Sequence, residues 1–260
     1  MATDVKECKR WGIIGCGWLG QAFARSVIQR GGSAWGTARS DNQLTAIAET
    51  GAGPLRFDMD HATSMDAWPP SDAMLVALPP SASANAASIA SIRKRMDATR
   101  WNVVISSTSV YPSAPGKYAE SDAIHRVSPH SGIDVLSVEH QWRGPNTTLL
   151  RAAGLIGPGR PLFRKDRGQG APDRWLNVVH VDDVVAAIHY CAAHGMQGPV
   201  NLAAPARRTL LECGRNGEEA IPLSTEDRRI SPELLMDAGF TFVHPDPKSM
   251  PDRHTPENHE

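Results

Sequence analysis

The chain of 260 residues holds only four cysteines, Cys8, Cys16, Cys191 and Cys213. None has C-x-x-C spacing and no pairing suggests itself, so they read as free thiols of a reducing cytoplasm, neither a disulfide framework nor a redox motif. An excess of charge of one sign is also missing. The 27 Lys and Arg against 28 Asp and Glu leave a net charge of -1, which gives a polyanion nothing to hold and argues against nucleic acid as a partner. No apolar run approaches the roughly 20 residues of a membrane span, and residues 1–8 are too polar for a secretory signal. The expected setting is therefore the cytoplasm, with no membrane partner. The ten histidines show no ligand spacing with cysteine or carboxylate, so no metal is expected. There is no G-x-S-x-G elbow and no P-loop lysine, which argues against hydrolase and kinase chemistry.

What is present is organised around Trp11-Gly12-Ile13-Ile14-Gly15-Cys16-Gly17-Trp18-Leu19-Gly20. An apolar run leads into glycines at 15, 17 and 20, the G-x-G-x-x-G spacing of a dinucleotide-binding turn between a strand and a helix. Gly15 is expected to permit the tight turn, Gly17 the approach of a pyrophosphate, and Gly20 close packing of helix on strand. The free N–H groups and positive dipole end of that helix would face the phosphates. Leu19, Phe23 and Val27 recur at i, i+4, i+8, so one helix face is apolar and packs on a sheet. Gly31-Gly32 closes the helix, and Ser33–Ala38 reads as a second strand. Arg39-Ser40 follows at its end. An acidic residue there would bind the ribose 2′-hydroxyl of NAD, whereas an arginine accommodates the 2′-phosphate of NADP. Arg39 with Ser40 favours NADP, with Asp41 close behind; a solvated surface arginine is the other reading.

Further along, the pattern predicts a helix over 42–49, a strand over 54–58, and a buried strand over 72–78 stopped by Pro79-Pro80. A helix through Ile89, Ile92 and Met96 and a strand over 102–107 follow. This β-α-β alternation implies an α/β fold with a doubly wound parallel sheet of the Rossmann type. Ligands in such sheets sit at the carboxyl ends of the strands. The stretch 111–130, rich in Pro, Ser and Gly, is expected to loop over the site. A helix is expected over 131–143, a strand over 147–151 and a glycine/proline turn over 154–161. A strand from 177 should run into a helix with Asp182 at its start, followed by a last strand over 200–202 and a short helix over 232–238. One domain over 1–260 is expected, with segments near 157–176 and 203–246 forming a small substrate-binding lobe. The tail beyond His244, and 247–260 above all, is expected to be disordered.

Several segments carry a likeness beyond these patterns: G-C-G-W-L-G at 15–20, S-S-T-S-V-Y-P at 106–112 and L-R-A-A-G-L-I-G-P-G-R at 150–160. N-V-V-H-V-D-D-V at 177–184, N-L-A-A-P at 201–205 and G-F-T-F-V-H-P-D at 239–246 continue it. Together they resemble the extended short-chain dehydrogenase/reductase superfamily, in its atypical, NAD(P)-dependent epimerase/dehydratase-like members. The resemblance covers nearly the whole chain in order. It implies a Rossmann sheet with a small C-terminal substrate-binding part, a nicotinamide cofactor and, as often in that family, a homodimer. The departures matter too. Typical members carry Y-x-x-x-K after the long loop, with tyrosine the proton donor and lysine its activator. Registering that helix on Glu139 puts Ser131 and Val135 at these positions, and neither serves: serine is too weak an acid and valine has no charge. The glycine motif differs from the commoner T-G-x-x-G-x-x-G. Residues 206–225 also look shorter than the family's segment, so a more open pocket is expected.

By the same resemblance Ser107 stands where the family places its substrate-polarising hydroxyl, with Thr108 the adjacent fallback; the Ser/Thr run also suits a plain strand cap. Tyr111 is the tyrosine near the predicted site that could replace the missing acid, or it packs where the loop leaves the sheet. His180 has a suitable ordinary pKa for proton transfer but also suits a hydrogen-bonded place before a helix. His130 is a further loop candidate, and Asp182 and Asp183 suit capping. The cofactor, NADP(H), is expected on Gly15, Cys16, Gly17, Trp18, Leu19, Gly20, Thr37, Arg39, Ser40, Leu78, Pro79 and Ser106. The expected activity is hydride transfer between the nicotinamide and a small polar carbonyl, imine or sugar-like substrate. Two alternatives stay open: a catalytically silent NADP-binding sensor, and an epimerase that uses the cofactor transiently.

Overall fold

The computed structural model describes residues 8–60, 68–79, 86–128, 132–162, 175–210, 212–213 and 228–251. Strand β1 (Arg10–Ile14) leads through the glycine turn into α1 (Trp18–Gln29), β2 (Ser33–Ala38), α2 (Asp41–Ala48), β3 (Gly53–Arg56) and β4 (Ala73–Val76). Then come α3 (Ala86–Asp97), β5 (Trp101–Ser107), β6 (Gly116–Tyr118), α4 (Val135–Trp142), β7 (Thr147–Ala152) and β8 (Gly154–Ile156). The chain continues with β9 (Val178–His180), α5 (Val181–His194), β10 (Gly198–Leu202), β11 (Arg228–Ile230) and α6 (Glu233–Asp237).

Seven strands form one parallel sheet in the order β10-β7-β5-β4-β1-β2-β3. Helices cover both faces, so the central strands are largely buried, and β4 and β7 are buried at every position. Successive strand residues point to opposite faces. Trp11 and Ile13 of β1 therefore pack with Phe23 and Val27 of α1 and Val184 and Ile188 of α5. Ile14 points the other way, into a second core with Met74, Val76, Ile92, Met96 and Trp142. Chain order in the sheet reverses between β1 and β4. The crevice at the carboxyl ends of those two strands is where such sheets hold ligands.

The sheet-forming segments and α1 follow the sequence pattern, and the later connections differ from it. The supposed turn at 154–161 begins as β8, paired in parallel with β9. The supposed loop over 111–130 contains β6, whose backbone groups find partners in β11. Helix α4 starts at Val135 rather than near 131, because the Asp134 carboxylate caps it, accepting from the Leu136 and Ser137 N–H groups. His130 and Ser131 lie outside the described residues. His180, not Asp182, caps α5, with its Nδ1 accepting from the Asp182 N–H at 3.2 Å. Beyond His244 the described chain runs to Pro251: Asp246 opens a short 3-10 helix over Pro247–Ser249 and Met250 is buried against Ile156 and Val178. Residues 252–260 lie outside the described residues, as do 163–174 and 214–227 of the supposed lobe. Its described parts include β11, paired with β6, and α6, which packs on β10. Among the described residues, no helix is long and apolar enough to cross a membrane.

Candidate cofactor and active-site cleft

A cleft of about 610 Å³ opens at the carboxyl ends of β1, β2, β4 and β5, a size suited to a small organic ligand. Gly15 to Gly20 line it, with Thr37 and Arg39 on one side and Leu78, Pro79, Ser106 and Ser107 on the other. Four sequence-derived candidates do not: Ser40, Thr108, Tyr111 and His180.

The three glycines divide the work as their spacing suggests. Gly15 has a φ of 79°, and a Cβ there would stand 2.9 Å from Leu78 Cδ2 and 3.0 Å from the Ala77 carbonyl. A Cβ on Gly20 would stand 3.1 Å from Ile13 Cγ2, so glycine lets α1 lie close on β1. A Cβ on Gly17 would meet nothing within 4 Å, because its open side is the cleft. Gly17 is also the N-cap of α1, and no side chain caps that helix. The N–H groups of Trp18, Leu19 and Gly20 therefore border the cleft without helical acceptors, where an anion fits. Thr37 braces the turn: its hydroxyl accepts from the Gly15 N–H at 3.0 Å and its carbonyl from the Cys16 N–H at 2.8 Å. Burial pushes the Cys16 thiol up to about 12, against a small pull from Arg25, so it stays a neutral packing group.

At the end of β2, exposed Arg39 lines the cleft. Asp41, the nearby carboxylate that could have bound a ribose hydroxyl, is paired with Arg56. The Arg56 guanidinium also donates to the Arg39 carbonyl at 2.7 Å. Ser40 is the exposed N-cap of α2 and is not among the residues lining the cleft. Gln43, Phe57, Asp58 and Met59 complete this end; the sequence pattern had not marked them.

At the other end, two neighbouring serines have opposite hydrogen-bond duties. Ser106 Oγ donates to Glu139 Oε1 at 2.6 Å, which commits its proton. Ser107 Oγ accepts from the Ser109 N–H at 3.1 Å, which leaves its own proton to donate into the cleft. Thr108 is buried in the 3-10 turn that follows. Tyr111 is 1% exposed. Its hydroxyl donates to Asn201 Oδ1 at 2.6 Å and accepts from Arg151 Nη1 at 2.8 Å. Burial pushes its pKa up, only partly countered by Arg151, so it is a structural phenol and not an acid facing the cleft. His180 is buried as a helix cap. Val135, at the lysine position of the resemblance, is core.

Behind the serines, Glu139 and Arg151 form a buried bidentate pair, with both contacts at 2.8 Å. Burial alone would lower the Arg151 pKa, but Glu139 and Tyr111 outweigh it and raise it. Arg160 is a further residue the sequence pattern missed. Gly157 and Arg160 exchange backbone hydrogen bonds, and the turn between them leans on Trp18, whose Nε1 donates to the Pro158 carbonyl at 2.8 Å. The Arg160 guanidinium lies 4.6 Å from the Trp18 ring centroid, on the cleft. The G-P-G-R run signalled a turn; its seat on Trp18, far back in the chain, was not readable.

This geometry defines a Rossmann-type fold with a ligand cleft at the carboxyl ends of its strands. Residues 10–109 match the family model described as NADP oxidoreductase, coenzyme F420-dependent. Protein YeeZ of Escherichia coli K12 is 28% identical over 282 aligned positions, covering 94% of this chain and 99% of that protein. A functionally unknown conserved protein from Silicibacter pomeroyi superposes with a TM-score of 0.73 at 20% identity, over 92% of this chain and 95% of its own. A putative NAD-dependent epimerase/dehydratase from Methylobacillus flagellatus gives 0.74 at 19%, over 93% and 95%. The chain shares the fold of these structures, the Rossmann-type fold that the motifs implied.

Proposed function

We propose that the chain is an NADP(H)-dependent oxidoreductase that acts on a small polar carbonyl, imine or sugar-like substrate. The supporting observation is one continuous cleft running from Arg39, past the uncapped start of α1, to Ser107. When bound, the nicotinamide supplies the hydride chemistry. The first turn of α1 holds the diphosphate, Arg39 pairs with the 2′-phosphate, and Arg56 keeps Asp41 from repelling it. Ser107 donates to the substrate oxygen or nitrogen and polarises it. Leu78, Pro79 and Ile105 give that end an apolar wall. With Tyr111 and His180 withdrawn from the cleft, the proton comes from water or from the substrate itself.

Calorimetric titration with NADPH and, separately, NADH tests the reading. Tight binding of NADPH alone is the expected result; no binding of either discards it. The burial of Val135 and the withdrawal of Tyr111 and His180 also favour a second reading, a silent NADP-binding sensor. NADPH oxidation across a panel of carbonyls and imines decides between the two. Net consumption also excludes an epimerase, which returns its cofactor unchanged.

A further inference from the structure

Away from the cleft, three side chains from two distant stretches converge. His180 ends β9, Asp182 lies in the first turn of α5, and His244 follows α6. Asp182 Oδ2 stands 3.2 Å from His180 Nδ1 and 3.0 Å from His244 Nε2. One donor atom from each lies within 4.8 Å of the other two, and the imidazole rings cross at 68° with centroids 4.3 Å apart.

We propose that His180, Asp182 and His244 bind a divalent cation of the zinc class, with a fourth position open to water. Two imidazoles and a carboxylate are a zinc donor set. Ligand atoms at bonds of ~2.0–2.1 Å on a tetrahedral ion stand ~3.3 Å apart, close to the two spacings measured to Asp182. The neighbours hold the site in place. His180 is buried, so its ring has little room to turn. The fully buried Asp183 carboxylate accepts from the N–H groups of Val243 and His244, which fixes the backbone that carries the third ligand. Asp182, with a side chain 58% exposed, opens the site to solvent and can turn its second oxygen toward the ion. The cation takes the place of the Asp182 N–H on His180 Nδ1. It staples the segment after α6 to the start of α5, one residue from Val181, which packs under the Gly157 turn.

The test uses the full chain, freed of metal with a chelator and titrated with zinc chloride, with magnesium chloride as control. One equivalent of zinc should bind and raise the thermal midpoint, since the ion binds only the folded chain. Magnesium, which demands six oxygen-type ligands, should do neither. His244→Ala and Asp182→Asn should each weaken zinc binding by roughly tenfold or more; the Asn variant keeps the shape of the site and separates lost ligation from lost folding. Cobalt substitution should give the visible absorption of a tetrahedral ion in the parent and not in the variants. Zinc bound equally well by both variants would put the ion elsewhere and overturn the proposal. No zinc binding by the parent chain would overturn it as well. None of these readouts depends on a nicotinamide cofactor.

Discussion

Ser106 and Ser107 are adjacent in sequence and look interchangeable, yet their hydrogen bonds give them different chemistry. Ser106 has spent its proton on Glu139, so it offers the cleft only lone pairs. Ser107 has a lone pair occupied by Ser109 and keeps a proton to donate. Ser107→Ala should therefore lower turnover by roughly 10²-fold, in the range of a lost polarising donor, with NADPH affinity unchanged. Steady-state kinetics alongside calorimetry read both quantities, and undiminished turnover would remove Ser107 from the chemistry. Arg39 makes a parallel case for binding. Arg39→Asp should weaken NADPH by ~10-fold or more through loss of a charge-assisted contact, while NADH affinity holds or improves. Equal loss for both cofactors would mean that the residue does not read the 2′-phosphate. Tyr111 shows the limit of a residue read alone: its partners Arg151 and Asn201 come from β7 and β10, and only the folded sheet reveals that its hydroxyl is already spent.

Elements were legible where their own sequence fixes them and illegible where a distant partner does. The run A-M-L-V of β4 and the glycine turn before α1 announce a buried parallel strand and a helix that starts at the cleft. Strands β6, G-K-Y, and β11, R-R-I, carry no apolar run, and each exists because the other lines up beside it. The packing of α5 on α1 brings a testable pH dependence. His189 on α5 stands 3.1 Å from Ser26 Oγ, with its ring centroid 4.8 Å from that of Phe23. Burial, with a smaller push from Arg30, lowers its pKa to about 4, against roughly 6.5 in the unfolded chain. Above pH ~6.5 the imidazole is neutral in both states and costs nothing. As pH falls toward 4 the unfolded chain takes up the proton first, so this site removes up to ~3 kcal/mol of stability and no more below that. Urea unfolding of the parent and of His189→Gln at pH 7.5 and pH 4.5 isolates the site from the carboxylates. An equal loss in both proteins would mean that the ring is protonated as readily folded as unfolded.

At the scale of the whole molecule, the end of β5 divides two kinds of construction. The half up to β5, which the matching family model spans, is held by apolar strands and glycine geometry. The half after it is knitted by buried polar groups: Glu139 on α4 grips Arg151 on β7, Arg151 reaches Tyr111 and the Glu120 carbonyl, and Tyr111 reaches Asn201 on β10. The motif segments containing Arg151 and Asn201 were visible in the sequence, but the pairing that makes them one network was not. Such a network stabilises only while complete, because a charge stripped of its partner inside the protein has neither water nor counter-charge. Glu139→Ala, which leaves Arg151 at 1% exposure without its carboxylate, should cost ~3–5 kcal/mol. Glu139→Leu combined with Arg151→Met removes both charges and should come within ~1–2 kcal/mol of the parent, or surpass it. Denaturant midpoints at constant slope measure both. NADPH affinity of the still-folded single variant should persist, since the glycine turn and Arg39 belong to the other half. A loss below ~1 kcal/mol for Glu139→Ala would mean that solvent reaches Arg151 and that packing alone joins α4 to β7.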